Sequence, residues 1–404
     1  MSGRRLIFLL LTLLIVSVVV FGMWYSAFFR STLEPGETRE VQIPKGDQSV
    51  PTTASAVSEM SNLQPQVEVV MTGLDTPWSL VFTSPHRILV TERPGRLRAI
   101  ENGKLRSEPL QIFSEVSETG EEGLMSLALH PEYAVNHWLY VSLAYELEDQ
   151  LWVKVMRYVD MGDRLTQPVT ILDQIPAAKY HAGCALAFGP DGKLYITTGD
   201  ATDRTLAQDL SSLAGKILRL NDDGSIPHDN PFGTAVWSYG HRNPQGMAWH
   251  PETDSMYSSE HGPSVFDGPA GGDEINLIEP GKNYGWPLVS HEKRQVGTEA
   301  PLIVYTPAEA PASLHFYSGQ GNPAWKNNLF FGALRGEGLM RVVIDSSDSI
   351  AVLRSEKLDQ VRFGRIRYVT EGPDGAIYFT TSNRDGRGEP ASEDDRIFRL
   401  RFEP

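Results

Sequence analysis

One unit of sequence recurs six times and limits what this chain can fold into. The unit is an apolar strand, a tight turn often built on proline, and a second strand rich in aromatic and β-branched residues. Its copies begin near Leu80 (LVFTSPHRILVTE), Leu127 (LALHPEYAVNHWLYVSLAY), Leu186 (LAFGPDGKLYITTGD), Met247 (MAWHPETDSMYSSEHG), Phe316 (FYSGQGNPAWKNNLFFGAL) and Val369 (VTEGPDGAIYFTTSN). Intervals of 47, 59, 61, 69 and 53 residues around a constant core place the length variation in loops. Pro-Asp-Gly in two copies supplies a preset φ at Pro and positive φ at Gly, the chemistry of a tight turn. Helical periodicity is weak throughout the repeats. Six strand-rich units predict an all-β chain, a six-bladed β-propeller with each blade a small antiparallel sheet. Such a ring carries its insertion loops around one end of a central channel, where ligands bind.

The N-terminal region has a different character. Arg4 and Arg5 precede the uncharged run Leu6–Phe29, 24 residues long. At about 1.5 Å per residue such a helix spans a bilayer with some tilt. Trp24 and Tyr25 fall where an aromatic belt would lie. The apolar core is longer than that of a cleaved signal, and no clean cleavage site follows. We expect residues 1–30 to be a membrane anchor, with a cleaved, secreted form as the alternative. The two arginines would keep the N-terminus inside and the bulk of the chain outside the cytoplasm. Residues 31–65, dotted with proline, glycine, serine and threonine, read as a flexible linker. The propeller domain then spans 66–404. Net charge is −15, all of it in that domain, which argues against nucleic acid as a partner. A single cysteine, Cys184, rules out an internal disulfide framework and any Cys-based metal cluster; it reads as a small buried residue. No Rossmann or P-loop glycine pattern is present, so a nucleotide cofactor is not expected.

The chemistry lies in the loops between repeats. They carry TGEEGL (119–124), YHAGC (180–184), YGHRNPQG (239–246), EHGP (260–263), GGDEIN (271–276), GKNYGWP (281–287), GALR (332–335) and GRIR (364–367). In order and approximate spacing these segments resemble the soluble, PQQ-dependent glucose and aldose sugar dehydrogenases, over residues 66–402. PQQ is an ortho-quinone bearing three carboxylates, and arginine forks match carboxylates. The resemblance implies cofactor contacts from Glu121, Arg242, Asn243, Arg335, Arg365 and Arg367. Arg365 and Arg367 alternate by two, so on a strand they share a face. It implies a Ca²⁺ on the carbonyls of Gly262 and Pro263, polarising the quinone. A second, structural Ca²⁺ would use Glu274 and the carbonyl of Tyr284. His181 matches the general base that takes the sugar C1 hydroxyl proton.

The implied activity is oxidation of aldoses at C1 to lactones. Electrons would pass to a small acceptor, a cytochrome or a quinone. The open alternative is a non-redox propeller, a binding module or a calcium-dependent lactonase. This chain departs from the family pattern at four positions. Arg335 replaces a lysine, Glu121 a glutamine, Ala185 a basic residue and Tyr180 an aspartate. A carboxylate at 121 is tolerable near a tricarboxylate only if a cation neutralises it.

Overall fold

The computed structural model describes residues 64–345 and 350–403. The expected anchor and all but the last two residues of the expected linker lie outside the described residues. Among the described residues no helix is long and apolar enough to cross a membrane.

Six antiparallel sheets follow one another along the chain. Blade 1 runs through Pro77–Ser84, Arg87–Glu92, Arg96–Glu101 and Lys104–Leu105, with Gln111–Ile112 as an added edge strand. Blade 2 is Leu124–Leu129, Trp138–Leu147, Gln150–Asp160 and Leu165–Pro176. Blade 3 is Leu186–Phe188, Leu194–Thr198, Lys216–Leu220 and Val236–Tyr239. Blade 4 is Pro244–Trp249, Met256–Glu260, Asp273–Ile278 and Ile303–Tyr305. Blade 5 is Pro311–Phe316, Leu329–Ala333, Gly338–Asp345 and Ala351–Lys357. Blade 6 is Ile366–Glu371, Ile377–Thr381 and Ile397–Glu403, and its outer strand is Gln64–Met71 from the start of the domain. Gln64 pairs with Glu403 and Val67 with Leu400, so the two ends of the domain close the ring in one sheet. The first strands of neighbouring blades pack on one another, except that between blades 3 and 4 the second strand of blade 3 meets the first of blade 4, and the first strand of blade 6 meets that of blade 1. Each of the six repeat starts falls in the first strand of a blade. The predicted six-bladed propeller is the observed fold.

The packing explains why the second strands read as continuous apolar runs. Leu194–Thr198, Leu329–Ala333 and Ile377–Thr381 are buried along their whole length, because blades cover both faces. The described residues share no single central core. Instead one apolar cluster fills each of the six interfaces between adjacent blades. Leu89 and Leu97 meet Leu127 and Val141 between blades 1 and 2. Phe330 and Leu339 meet Phe379 and Phe398 between blades 5 and 6, and Leu80 and Val90 meet Tyr378 and Ile397 where blade 6 returns to blade 1.

Nearer the axis, polar groups take over as staples. The Leu127 N–H donates to Ser79 Oγ (3.2 Å), Leu186 N–H to Ser126 Oγ (3.0 Å) and Val369 N–H to Ser313 Oγ (2.7 Å). Ser259 Oγ donates to the Ala312 carbonyl (2.5 Å) and Thr380 Oγ1 to the Pro77 carbonyl (3.2 Å). Buried backbone groups left open at the ring seams are thereby satisfied.

The hairpin turns and the site loops occupy opposite ends, because successive strands are antiparallel. At the turn end, Gly192 and Gly375 close the two Pro-Asp-Gly turns with φ of 72° and 73°. The turn aspartates do the same work twice: Asp191 accepts from the Tyr195 hydroxyl and Arg219, Asp374 from the Tyr378 hydroxyl and Arg399. At the other end lie the segments entering each first strand and leaving each second strand.

Candidate active site

A cavity of about 1170 Å³ opens at that second end. Every blade contributes to its wall, through Arg93, Glu121, His181, Arg242, Arg335 and Arg365 among others. The lining carries eight Lys or Arg against six Asp or Glu, a positive wall in an acidic chain.

His181 stands on the blade 3 side. Its Nδ1 is 2.8 Å from Asp200 Oδ1. Asp200 is 1% exposed and also accepts the Thr202 N–H and the Trp286 indole N–H, each at 2.8 Å. Nδ1 of His181 faces the same carboxylate oxygen that the Thr202 N–H donates to, and a carboxylate oxygen accepts, so Nδ1 carries the proton. Nε2 is then left as the lone-pair nitrogen, with no protein partner among the described residues. The backbone at His181 is in the left-handed region, φ 58°, which costs an L-residue about 1–2 kcal/mol. Its N–H reaches Glu121 Oε2 at 3.4 Å. The second strand of blade 3 leaves through Gly199, where a Cβ would strike the His181 carbonyl. Glycine there lets Asp200 approach the ring.

Arginines converge from blades 4, 5 and 6. Arg242 is held side-on by Asp267 Oδ2, 2.8 Å from both Nε and Nη2, and its Nη1 donates to the His261 carbonyl at 3.1 Å. Arg365 has the same arrangement: Asp385 Oδ2 at 2.9 Å from Nε, and the Leu334 carbonyl at 2.8 Å from Nη1. Burial pushes the Asp385 carboxyl up, but Arg365 and Arg367 more than offset this and hold it below its usual range. Arg367 differs. It is 8% exposed, donates to Gln245 Oε1 (3.0 Å) and stacks over the Trp78 ring at 5.0 Å. No carboxylate lies within ion-pair distance of it among the described residues. Burial lowers its pKa to about 10, so it remains a cation at neutral pH. Arg335 is exposed on the cavity wall and also lacks an ion-pair partner among the described residues.

The Glu121 carboxylate is neutralised: Arg387, from the loop after blade 6's second strand, sits 2.6 Å from Oε1 and stacks on Tyr180. Asn243 does not line the cavity. It is fully buried beneath it, and its Oδ1 accepts the Gly183 N–H (3.3 Å) and Gln245 Nε2 (3.1 Å). Cys184 is buried, its thiol pushed up to about 12 by desolvation, in keeping with a packing role.

Gly262 and Pro263 line the cavity, with the Gly262 N–H tied to Asp273 Oδ1 (2.8 Å). The Pro263 carbonyl accepts from Gly271 (3.2 Å) and keeps a second lone pair. Glu274 and Tyr284 lie elsewhere in blade 4. Glu274 faces Glu260 across adjacent strands, and its carboxyl is pushed well above its usual range by burial and by Glu260. Two opposed carboxylates with that strain suit a bound cation. Among the described residues no three His, Cys, Asp or Glu side chains form a metal cage. Cation sites here would therefore need backbone carbonyls as well.

The sequence reading missed Asp200, His261, Asp267, Asp385, Arg387 and Trp78. Asp200 had a usable signal, since it directly follows the second strand in TTGD. Trp78, Arg367 and Asn243 share a feature with His261. Each leaves a buried nitrogen without a partner: Trp78 Nε1, Arg367 Nε, Asn243 Nδ2 and His261 Nε2. The first three can only donate. Of the four, Arg367 and His261 line the cavity, and the unmet Arg367 nitrogen can only donate, which fits a ligand that brings anionic oxygen, as a tricarboxylate quinone does.

A ring with a carboxylate-held imidazole beside free arginines at its mouth defines a propeller enzyme acting on small oxygen-rich molecules. Residues 74–390 match the family model described as glucose / sorbosone dehydrogenase, and the chain belongs to that family. The aldose sugar dehydrogenase YliI of Escherichia coli is 35% identical over 345 residues, 79% of this chain and 91% of its own. The structure of a putative oxidoreductase (glucose dehydrogenase) from Thermus thermophilus superposes with a TM-score of 0.77 at 43% identity, covering 83% of this chain and 100% of that one. The PQQ-bound aldose sugar dehydrogenase of Streptomyces coelicolor gives a TM-score of 0.74 at 33% identity, over 84% and 99%. The chain is an oxidoreductase of this family.

Proposed function

We propose that the protein oxidises cyclic aldoses at C1 to lactones, with PQQ and Ca²⁺ as cofactors. The observation that carries this reading is the pairing of a donor-rich floor around the unpaired Arg367 with an imidazole whose Nε2 is free. Arg335 and Arg367 would take cofactor carboxylates; Arg242 and Arg365, already oriented by Asp267 and Asp385, would present their remaining edges. Bound PQQ would supply the hydride acceptor, and Ca²⁺ on the Gly262 and Pro263 carbonyls the Lewis acid. Glu274 and Tyr284 would hold a second, structural Ca²⁺.

His181 Nε2 accepts the proton of the sugar C1 hydroxyl. Asp200 keeps the Nδ1–H tautomer and stabilises the imidazolium that forms. Deprotonation of that hydroxyl drives loss of hydride from C1, leaving the lactone carbonyl. The cavity mouth is open, so several aldoses should be accepted. A cytochrome or quinone would receive the electrons, and the N-terminal run would tether the propeller outside the cytoplasm. The test is to load the purified full chain with PQQ and Ca²⁺ and follow dye reduction with several aldoses. Turnover with at least one is expected. PQQ-independent lactone hydrolysis without dye reduction would establish the non-redox reading instead.

A further inference from the structure

We propose that His261 is a further ligand-contacting residue of this cavity, its imidazole hydrogen-bonding an oxygen of the bound quinone cofactor. This rests on the PQQ reading above. His261 follows directly on the second strand of blade 4, Met256–Glu260, and lines the cavity. Its backbone is fixed at both ends: the N–H donates to the Asn243 carbonyl (3.2 Å), and the carbonyl accepts from Arg242 Nη1 (3.1 Å). Only the ring is left to turn.

That ring has no hydrogen bond among the described residues. Nε2 is shut off from water and unpartnered, and no contact to Nδ1 is made. The other histidines around the site are engaged: His181 through Asp200, His241 through both Ser238 and Glu260. A buried polar nitrogen without a partner destabilises the fold, and an apolar ring of the same size would pack there without that cost. An imidazole kept at such a place is explained by a partner that arrives with the ligand. The surroundings name its chemistry. Arg242 is bonded to the His261 carbonyl and Arg367 lines the same cavity, and the buried nitrogens of Arg367 and Asn243 are likewise unmet. Each calls for an oxygen acceptor. Rotation about Cβ–Cγ, a soft sp³–sp² torsion, lets the imidazole N–H reach it.

The experiment compares the full-length chain with its His261→Phe and His261→Gln variants, at saturating Ca²⁺. PQQ affinity is read from quenching of intrinsic tryptophan fluorescence, and the melting temperature is taken without PQQ. For His261→Phe we expect an unchanged or raised melting temperature together with a PQQ dissociation constant raised about tenfold, the effect of one hydrogen bond to a buried group. His261→Gln, which keeps a donor, should recover most of the affinity. Wild-type affinity in His261→Phe, within twofold, would overturn the proposal. So would a lower melting temperature with a matching loss of affinity in both variants, because that marks a purely structural residue. Absence of PQQ binding by the wild-type chain would overturn the functional reading itself, and is seen before any variant is compared.

Discussion

Asp200→Asn tests the proton-transfer geometry with almost no change of shape. The wild-type carboxylate accepts three donors, from His181, Thr202 and Trp286, all at 2.8 Å. A carboxamide cannot satisfy all three. If its NH₂ takes the place of Oδ2, it faces the Trp286 indole N–H, and two donors oppose each other in a buried site. If it takes the place of Oδ1, it faces Thr202 N–H and forces His181 to accept at Nδ1. The proton then moves to Nε2, and the base is lost. Either choice sacrifices one charge-assisted hydrogen bond and orphans a donor, about 2–4 kcal/mol in all. Expressed on the chemical step, this is a fall in kcat of roughly 30-fold to 10³-fold, with PQQ affinity little changed because Asp200 touches no cavity arginine side chain. Steady-state dye reduction with the PQQ- and Ca²⁺-loaded variant measures kcat; fluorescence quenching measures cofactor affinity. A kcat within twofold of wild type would refute the role given to the Asp200–His181 pair. A collapse of PQQ binding with kcat preserved at saturation would refute the division of labour between the two walls.

Other consequences follow from particular contacts. Glu121→Gln releases Arg387 from its ion pair at an exposed position, so stability should change by less than about 1 kcal/mol; the cavity gains a positive charge, and PQQ should bind several-fold tighter at low salt, an advantage lost at about 1 M salt as screening shortens. Ser313→Ala removes the acceptor of the buried Val369 N–H and should destabilise the ring by about 1–3 kcal/mol in denaturant melts. Asp160, 4% exposed, is pushed up by burial but held below its ordinary 3.8 by Arg87, the Tyr133 hydroxyl and the Gly162 N–H. Its folded pKa is depressed, so its contribution is present above the unfolded value and disappears as pH falls through the folded one. Asp160→Asn should therefore cost about 2–4 kcal/mol near pH 7, with the gap to wild type narrowing below pH of about 4; a gap constant down to pH of about 2 would contradict that assignment.

The ring was legible in the sequence because its repeat is a packing requirement. The second strands are covered on both faces over most of their length, so copies as divergent as LYITT and LFFGA share an apolar run that the repeat exposes. The site was legible only where a local motif carries it. Arg365 and Arg367 lie two apart at the start of a strand, and both line the cavity. Their partners do not share a motif with them. Asp385 and Arg387 come from a loop twenty residues further on, and Arg387 meets a glutamate from the far side of the ring seam, more than 260 positions away in the chain. Such pairs exist only once the ring has closed. The same closure resolves the Glu121 departure, since the cation that neutralises it is brought by blade 6. Asn243, in YGHRNPQG, is legible as part of a motif but not in its geometry: its Oδ1 holds Gly183 and Gln245 beneath the floor, while its Nδ2 has no partner among the described residues. The unpartnered nitrogens are invisible in sequence, because an absent hydrogen bond leaves no residue pattern.

The central claim is that this cavity is built for a tricarboxylate quinone aided by calcium. Isothermal titration of the purified full chain with PQQ, with and without Ca²⁺, addresses it directly. We expect one PQQ per chain, a dissociation constant of about 1 μM or tighter with Ca²⁺, and clear weakening when the ion is chelated. Failure to bind PQQ at about 100 μM in the presence of Ca²⁺ would contradict the account.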